Sequence, residues 1–383
     1  MSVLFGKYLP QHGIQSDIVA AKTPGAPEPC VWGGGEAYLC DVSDSSANKH
    51  IKTFLHGIKH LFNTDAARYQ AIQIRDMLLL ATIGLLVARF KRLKFFYWMS
   101  YPVPDGKILL ARHRGLSQGL LKFLFPWVYG HVGHFFLYRV VLPNADHVFV
   151  QSDQMKDDLV KLGIRPEKMT PVPMGVDLEA LQDLNIAPLN DSRLNGKTVL
   201  VYLGTQDIHR RIETLFEMLA IVKRQFPNVL LLLVGDTYDE VHRQWLKSKA
   251  DEAGVSDNII WTGWLPIYEG WRYVKTATVG LSPFPRGYLL DSASPTKVPE
   301  YLSFGLPVVC NDNPDQKQVI KQSGAGICVP YTAEEFARAV IEILYLNENE
   351  RNELVVKGKS YVNNYRSYRI ISKEIANIYT AIV

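Results

Sequence analysis

The chain lacks the features that mark secreted, repetitive and disordered proteins. It has 4 cysteines among 383 residues, none of them in a Cys-x-x-Cys pair, and its N-terminal stretch does not resemble a signal peptide. It contains neither a repeat nor a low-complexity tract. Hydrophobic residues make up 47% of it and charged residues 21%, as is usual for a globular chain. These absences favour a cytoplasmic globular protein with free thiols.

Acidic residues are almost missing from one long interval. Between Asp76 and Asp146 the one acidic residue is Asp105, against nine lysines and arginines. No nucleic-acid-binding motif accompanies this positive charge, so a nucleic-acid partner is not indicated. The interval is also rich in aromatic residues, which favours a membrane surface as the partner.

Hydrophobic runs long enough to span a bilayer are missing as well. Residues 77–88 are apolar but too few, and they predict a buried helix. Residues 119–143 are interrupted by Pro126 and by basic side chains. The Phe, Trp and Tyr content of this second run predicts a segment attached to one face of a membrane. A pair of buried helices whose basic side chains reach solvent is the alternative.

Short hydrophobic runs alternate with helical patterns along the whole chain. A chain of this length fits two domains, and the alternation predicts parallel sheets with helices on their faces. The polar stretch 182–197 is the predicted linker. We therefore predict domains 1–182 and 183–363, with residues 364–383 as a helix that crosses back to the first domain. The predicted strands are 3–8, 71–74, 95–99, 147–151, 198–203, 229–234, 259–262, 278–282, 307–309 and 326–329.

The sequence Ser-Pro-Thr-Lys-Val-Pro-Glu, which starts at Ser294, predicts a helix that binds a phosphorylated ligand. Ser294 suits the N-cap and Pro295 the first helical position. The N–H groups of Thr296 and Lys297 would then point at an anion. Glu300 follows roughly 9 Å along the axis, about where the ribose of a sugar nucleotide would lie. An ordinary helix start with a solvated Glu300 is the alternative.

Two other predicted strands of the second half are followed by candidate binding residues. Gly204 ends the strand 198–203, and Arg210 and Arg211 come soon after it. Paired arginines at the carboxyl end of a strand favour phosphate, although they could also begin a solvated helix. Trp264 and Leu265 follow a later strand and predict the wall of a nucleotide-base pocket, with core packing of Trp264 as the alternative.

Three motifs of the second half, in their order and spacing, resemble the donor-binding domain of a family 4 glycosyltransferase of the GT-B fold. They are Tyr-Leu-Gly at 202–204 with the arginines after it, Trp-Thr-Gly-Trp-Leu-Pro at 261–266 leading to Val-Gly-Leu-Ser-Pro-Phe at 279–284, and the segment 294–309. Residues 145–152 and 172–177 resemble the end of that family's acceptor domain. The resemblance is good over 145–363 and holds only in outline over 1–144.

The resemblance implies an α/β fold of two Rossmann-like domains facing each other across a cleft. It also implies transfer of a sugar from a nucleoside diphosphate sugar to a hydroxyl, with retention of configuration and without a metal or other cofactor. Negative charge develops on the leaving oxygen, so the reaction needs preorganised donors. Arg210 or Arg211, Lys297 and the Thr296 amide are the predicted donors.

The sequence departs from the family pattern at two donor-side positions. Thr205 stands just after Gly204, so only one of the two cations usual in that loop is kept. Ser292 stands where the family commonly has a glutamate, and the adjacent Asp291 is a candidate substitute. In the first half, the turn that starts at Gly13 loosely resembles the family's glycine loop near the donor phosphate.

The acceptor side is less clear, because the histidine often found after the central strand is not evident. Ser100 occupies about that place. We predict Arg75 and Asp76 as the acceptor-side pair, with Trp98, Ser100 and Tyr101 beside them. Asp76 would orient or partly deprotonate the incoming hydroxyl, or else act as an N-cap.

The sequence thus predicts a retaining glycosyltransferase on the inner face of the cell membrane. Its acceptor would be a lipid-linked or cell-surface polysaccharide precursor. Two alternatives stay open: a catalytically inactive binding or scaffold protein on the same fold, and a sugar-nucleotide epimerase or hydrolase.

Overall fold

A computed structural model describes residues 2–22, 32–42, 46–115, 119–184 and 186–383, with the side chains of 46–49 and 183 left aside. The chain forms two compact units. The first comprises Met1–Pro173 and Tyr368–Val383, and the second Met174–Ser367. The predicted divisions, after residues 182 and 363, lie close to these. Cys40, Cys310 and Cys328 are free thiols. Cys30 and part of the predicted linker, Asn185, lie outside the described residues.

The first unit contains a parallel sheet covered by helices. Its four strands pair in the order β3, β4, β5, β6, and a separate parallel pair is formed by β1 and β2. The strands are β1 (Ile18–Ala21), β2 (Ala37–Cys40), β3 (Ala71–Arg75), β4 (Lys94–Met99), β5 (His147–Val150) and β6 (Met169–Pro171). The helices are α1 (Ser46–Asn63), α2 (Leu78–Phe90), α3 (Val103–Arg114), α4 (Leu120–Phe135), α5 (Leu142–Asn144) and α6 (Asp153–Lys161).

The predicted strand 3–8 is wrong, because Leu4–Tyr8 and Leu9–His12 form two helical turns. The physical reason lies in the spacing of the apolar residues. Leu4, Phe5, Tyr8 and Leu9 are all buried, and a helix places residues at this spacing on one face. The other predicted strands are present, with ends shifted by one or two residues.

The second unit has the strand order of the doubly wound Rossmann fold. Six parallel strands pair in the order β12, β11, β10, β7, β8, β9. The strands are β7 (Thr198–Leu203), β8 (Val229–Val234), β9 (Ile259–Trp261), β10 (Val279–Ser282), β11 (Val308–Asn311) and β12 (Gly326–Val329). The order reverses between β7 and β10, and in such sheets ligands bind beyond the carboxyl ends of the strands at that reversal.

Helices cover both faces of this second sheet. On one face α8 buries Leu215, Phe216, Leu219 and Val222 in a large apolar cluster. The helices of this unit are α7 (Leu178–Asp183), α8 (Thr214–Lys223), α9 (Glu240–Glu252), α10 (Ile267–Thr276), α11 (Tyr288–Asp291), α12 (Lys297–Ser303), α13 (Pro314–Ser323), α14 (Ala333–Tyr345) and α15 (Glu348–Tyr361). A wide turn over Val362–Arg366 ends the unit.

The last helix, α16 (Tyr368–Ile382), belongs to the first unit. Its buried residues Ile371, Ile375 and Tyr379 share an apolar cluster with Leu4 and Phe149. The Tyr379 ring lies 4.8 Å from the Phe96 ring and 5.2 Å from the Phe149 ring, measured between centroids. Thus α16 supplies part of the core of the first unit.

Candidate active site

Two glycines bring the carboxyl ends of β7 and β8 close to a lysine. Gly204 has φ of 143° and Gly235 of 125°, a backbone region that favours glycine. A Cβ on Gly204 would lie 2.8 Å from Cε of Lys297, and one on Gly235 would clash with the Gly204 carbonyl. The absence of side chains here therefore lets Lys297 reach across the end of β7.

Lys297 is buried at the start of α12 and rests on an aromatic ring. Its Nζ lies 5.0 Å from the centre of the Tyr202 ring, a distance typical of a cation–π contact. Burial and the nearby Arg210 charge lower the pKa of Lys297 to about 7, while Glu300 opposes this shift. A lysine with a pKa near neutrality is found more often at functional sites than elsewhere.

Arg210 is the second cation of this group. Its guanidinium carbon lies 4.8 Å from the centre of the Phe284 ring, just past β10. Two positive charges thus lie beyond β7 and β10, where the strand order reverses. Among the contacts of the described residues, neither Arg210 nor Lys297 takes part in an ion pair of 4 Å or less.

Glu300 lies about one turn after Lys297 in α12. Burial raises the pKa of Glu300 to about 7, and the Lys297 charge opposes the rise. The neighbouring Tyr301 fixes the helix in place, because its hydroxyl accepts a hydrogen bond of 2.7 Å from the Leu203 N–H and donates one of 3.3 Å to the Leu281 carbonyl. Tyr301 therefore fastens α12 to both β7 and β10.

The predicted N-cap at Ser294 is wrong. The helix begins at Lys297 with Thr296 as its N-cap, and Pro295 lies buried before it. The Ser294 hydroxyl accepts a hydrogen bond of 2.9 Å from the Met174 N–H and donates one of 2.8 Å to the Asp315 carboxylate. Ser294 therefore holds the approach to α12 instead of capping it.

The structure also separates the two predicted arginines. Arg211 is exposed, has φ of 49° and lies 3.5 Å from the Glu213 carboxylate. Its carbonyl accepts a hydrogen bond of 2.7 Å from the Tyr331 hydroxyl. Arg210 thus joins Lys297, whereas Arg211 belongs to the outer surface of the loop.

Asp291, the proposed substitute for the family's glutamate, has a different partner. Its carboxylate forms two bonds to the Arg286 guanidinium, of 2.8 and 3.0 Å, and Arg286 also bonds Asp312 at 2.8 Å. This geometry gives Asp291 a role in holding the loop around α11. The Ser292 hydroxyl donates to the Leu289 carbonyl.

Trp264 is not part of the core. It is 44% exposed, and its ring stacks on that of the still more exposed Tyr238, with 4.6 Å between centroids. Leu265 beside it is also exposed. Because Trp264 is exposed, the core-packing alternative is wrong. An exposed pair of stacked aromatic rings after β8 and β9 suits contact with a nucleotide base.

The acceptor-side residues form one hydrogen-bonded cluster in the first unit. The Asp76 carboxylate accepts from the Ser100 N–H at 2.7 Å and from the Tyr101 N–H at 3.4 Å, and Nε of Arg75 donates to the Ser100 hydroxyl at 2.7 Å. Burial raises the pKa of Asp76 above its usual value. The N-cap alternative for Asp76 is wrong, since its carboxylate bonds to the loop after β4.

Asp76 is also held in an uncommon backbone conformation. Its φ is 54°, which costs free energy for a residue other than glycine and is found most often at functional sites. Trp98, in contrast, is buried in the core and packs edge-on against Phe5. Its prediction as an acceptor contact is wrong, because its strand position points it into the apolar cluster.

Gly13 ends the turn Leu9–His12 with φ of 79°. A Cβ there would meet no atom within 4 Å, so backbone conformation and not space favours glycine. Its contact with a donor phosphate stays a prediction.

Sequence reasoning missed two polar features of the site. Gln206 is buried, donates to the Gly235 carbonyl at 2.6 Å and leaves its Oε1 without a partner. Arg366 and Asp315 are both buried, and a guanidinium nitrogen of Arg366 lies 2.6 Å from the Asp315 carboxylate, to which Ser294 is also bonded. Tyr238 was missed too, although an aromatic residue shortly after a strand could have indicated it. Within the described ranges, we find no cluster of three His, Cys, Asp or Glu residues that could hold a metal ion.

Two Rossmann-like domains, with the cations Lys297 and Arg210 beyond the strand reversal of the second, indicate a GT-B protein, and the comparisons agree. The sequence model described as "Glycosyl transferase 4-like domain" matches residues 5–175. That described as "Glycosyl transferases group 1" matches residues 190–361. Together these matches cover most of the chain, and the protein belongs to the family 4 glycosyltransferases.

A curated relative is TuaH of Bacillus subtilis (strain 168), whose name assigns it to teichuronic acid biosynthesis as a glycosyltransferase. It is 27% identical over 184 residues, which are 47% of this chain and 44% of TuaH. The match thus spans less than half of the length of that relative.

Solved structures share the fold. Sucrose-phosphate synthase from Thermosynechococcus elongatus superposes with a TM-score of 0.71 at 18% identity, covering 99% of this chain and 91% of its own. WaaG, a glycosyltransferase involved in lipopolysaccharide biosynthesis, superposes with a TM-score of 0.63 at 14% identity, covering 97% of this chain and 92% of its own. Anabaena Alr3699/HepE in complex with UDP-glucose superposes with a TM-score of 0.62 at 14% identity, covering 95% of this chain and 99% of its own.

Proposed function

We propose that the protein is a retaining glycosyltransferase that moves a sugar from a nucleoside diphosphate sugar to a hydroxyl of a lipid-linked or cell-surface polysaccharide precursor. The observation that carries the proposal is the pair of cations beyond the strand reversal of the second sheet, the buried Lys297 and the half-buried Arg210. Glu300 lies one turn farther along the same helix. This arrangement suits a diphosphate with a ribose beside it.

In this proposal the cations act on the leaving group. Arg210 and Lys297 hold the diphosphate, and their charges stabilise the negative charge that grows on the leaving oxygen as the glycosidic bond breaks. They supply the positive charge from side chains, so no metal or other cofactor is assigned a role. Glu300 accepts the ribose hydroxyls, and Trp264 with Tyr238 lies against the base.

In this proposal the first unit binds the acceptor. Asp76, held by Ser100 and Tyr101, accepts a hydrogen bond from the incoming hydroxyl and orients it. Its raised pKa makes it a better proton acceptor than an ordinary surface aspartate. Arg75 beside it adds a charge that suits a phosphate-bearing acceptor.

A membrane location is supported by the surface of α4. Its exposed residues include Leu121, Phe125 and Trp127, and apolar patches of this kind mark interaction surfaces. Within the described part of the chain, we find no helix long and apolar enough to cross a bilayer. We therefore propose peripheral attachment at the inner face of the cell membrane. The descriptions of TuaH and WaaG, which name teichuronic acid biosynthesis and lipopolysaccharide biosynthesis, support an acceptor of the polysaccharide class.

The proposal is tested by thermal shift with a panel of nucleoside diphosphates and their sugars. One base should stabilise the wild type, and Glu300→Ala should lose most of that shift, because bound ligand raises stability in proportion to the logarithm of its concentration over Kd. Glu335→Ala, on the exposed face of α14, is the control and should keep the shift.

Three other outcomes would overturn the proposal. If no nucleotide stabilises the protein, it does not use a nucleotide sugar. Stabilisation without turnover of any acceptor would favour the scaffold protein. Conversion of the donor alone into another sugar nucleotide would favour the epimerase.

A further inference from the structure

An apolar groove of about 470 Å³ lies in the first unit, between the first turn of α2 and one face of α4. Leu78 and Leu79 form one side, and Leu124, Val128 and Val132 lie on the other. All its other lining residues are apolar as well, apart from Tyr129. The volume is within the range of ligand pockets, about 300–1,000 Å³.

The apolar side chains on the groove face of α4 are exposed. Leu121 is 80% exposed and Phe125 72% exposed. The opposite face of α4 is packed tightly, because a Cβ on Gly130 would come 2.6 Å from Ile108 of α3. Gly133 lies in the groove itself, where a Cβ would come 2.9 Å from Leu78. Gly130 thus lets α4 pack closely on α3, while the apolar face of α4 stays free for a ligand.

The groove begins beside the acceptor-side cluster. Leu78 is only two residues after Asp76 and opens the helix that follows it. Tyr101, whose N–H bonds Asp76, places its ring against Gly106 of α3, the helix on which α4 packs. A chain in the groove would therefore have one end close to Asp76.

The segment that carries the groove is basic and has almost no acidic residues, with nine lysines and arginines against one aspartate between Asp76 and Asp146. Among the basic residues, Lys122 of α4 and Arg139 in the turn after α4 are exposed. Asp105, the one acidic residue of the interval, is bonded to the Tyr138 hydroxyl at 2.5 Å. An apolar groove with a basic surrounding complements a ligand that has a hydrocarbon chain and an anionic head.

We propose that this groove holds the hydrocarbon chain of the acceptor, an alkyl or prenyl phosphate lipid, and so places its head group beside Arg75 and Asp76. The proposal rests on the function proposed above, since it identifies the acceptor of that same reaction. It assigns the groove to the hydrocarbon chain of one lipid molecule and not to the bilayer as a whole.

The experiment measures the binding of dodecyl phosphate, below its micelle concentration, by calorimetry. The wild type should bind it, and should bind inorganic phosphate far more weakly, because the chain contributes most of the affinity. In Val128→Glu a charge enters the groove, and affinity should fall at least tenfold.

Trp127→Glu is the matched control. Trp127 is as exposed as its neighbour, 41% against 43% for Val128, but does not line the groove. It should bind dodecyl phosphate within twofold of the wild type. An equal melting temperature for both variants shows that each is folded.

Several results would overturn the proposal. Equal loss in both variants, or binding only to phosphatidylglycerol vesicles, would make this face a general membrane contact. A wild-type dimer that Val128→Glu dissolves would make it a surface for a second copy. Nucleotide stabilisation is measured in parallel. If it is absent while dodecyl phosphate binds, the proposed function fails and the groove is a lipid site without an acceptor; if it is present and dodecyl phosphate does not bind, only the groove proposal fails.

Discussion

The two adjacent arginines differ in what they touch, and this difference gives the first prediction. Arg210 lies over Phe284 near Lys297, whereas Arg211 is exposed and faces Glu213. Hydrogen bonds between charged groups contribute about 1.5–3 kcal/mol. Arg210→Ala should therefore weaken nucleoside diphosphate binding by about 2 kcal/mol, and Arg211→Ala by less than about 0.5 kcal/mol, measured by calorimetry. Equal losses would contradict the assignment of Arg210 to the site.

The pKa of Lys297 predicts a pH dependence of donor binding. The value of about 7 means that the free protein loses this charge as pH rises through neutrality. A diphosphate binds the charged form, so affinity for a nucleoside diphosphate sugar should fall between pH 6 and pH 9. The slope should approach about tenfold per pH unit above the pKa, because one pKa unit corresponds to about 1.4 kcal/mol.

The control for this prediction is Lys297→Met, in which the charge is absent at every pH. Its affinity should be low and much less dependent on pH. A pH profile in Lys297→Met identical to that of the wild type would assign the dependence to another group, of which Glu300 is the nearest candidate.

At the residue scale, the sequence predicted the positions of those site residues that depend only on their neighbours along the chain. Lys297, Glu300 and Arg210 lie where the motifs placed them, and Arg75, Asp76, Ser100 and Tyr101 form one cluster. Ser294 was misassigned because its partners, Met174 and Asp315, are distant in sequence. A serine before a proline has the same local pattern whether it caps a helix or bonds a buried aspartate.

At the scale of elements, a buried ion pair joins the approach to α12 to the turn that ends the second unit. Arg366 and Asp315 are both about 95% buried and lie 2.6 Å apart, with Ser294 bonded to Asp315. Removal of one member of such a pair leaves an unpaired buried charge and costs about 3–5 kcal/mol. Both Arg366→Met and Asp315→Leu should lower the free energy of unfolding by this amount.

The double variant separates stability from positioning. Since apolar replacement of a whole buried pair is often neutral, the combination of Arg366→Met and Asp315→Leu should recover most of the unfolding free energy in urea. It should not recover nucleotide affinity, because Ser294 has lost its acceptor. Loss of the exposed pair Arg338–Glu335 is the control and should cost less than about 1 kcal/mol. Recovery of nucleotide affinity in the double variant would show that the pair does not position the site.

Element types followed from periodicity wherever the period was clear. The strands of the second sheet are mostly apolar, as parallel strands buried on both faces usually are, and all six were predicted. The turns Leu4–Tyr8 and Leu9–His12 were not, because a short apolar run fits a strand and a buried helix equally well. These two turns are helical because their apolar residues lie on one side only, where they pack against α16.

At the scale of the whole molecule, charge and exposed apolar surface lie together on the first unit. We expect the protein to sediment with phosphatidylglycerol vesicles at low salt and to be released as salt increases, because screening weakens attraction to an anionic surface. Phosphatidylcholine vesicles are the control and should bind much less. A protein that stays in the supernatant with anionic vesicles at low salt is not peripheral to the membrane.

The GT-B fold followed from the alternation of strands and helices together with the motif order, while the strand order did not. Nothing in local sequence says that β7 lies beside β10, since that pairing depends on how helices of both faces share the sheet. The first unit was predicted less completely, because its strands β1, β2 and β6 are short and were not among the predicted strands.

The place of α16 has a consequence for how the protein is made. Ile371, Ile375 and Tyr379 pack with Leu4 and Phe149, yet they are synthesised after the whole of the second unit. The second unit has every residue of its own core once Ser367 has left the ribosome. The first unit, although translated earlier, must wait with part of its apolar cluster uncovered. Assembly therefore runs opposite to the usual order, in which the N-terminal domain is completed first.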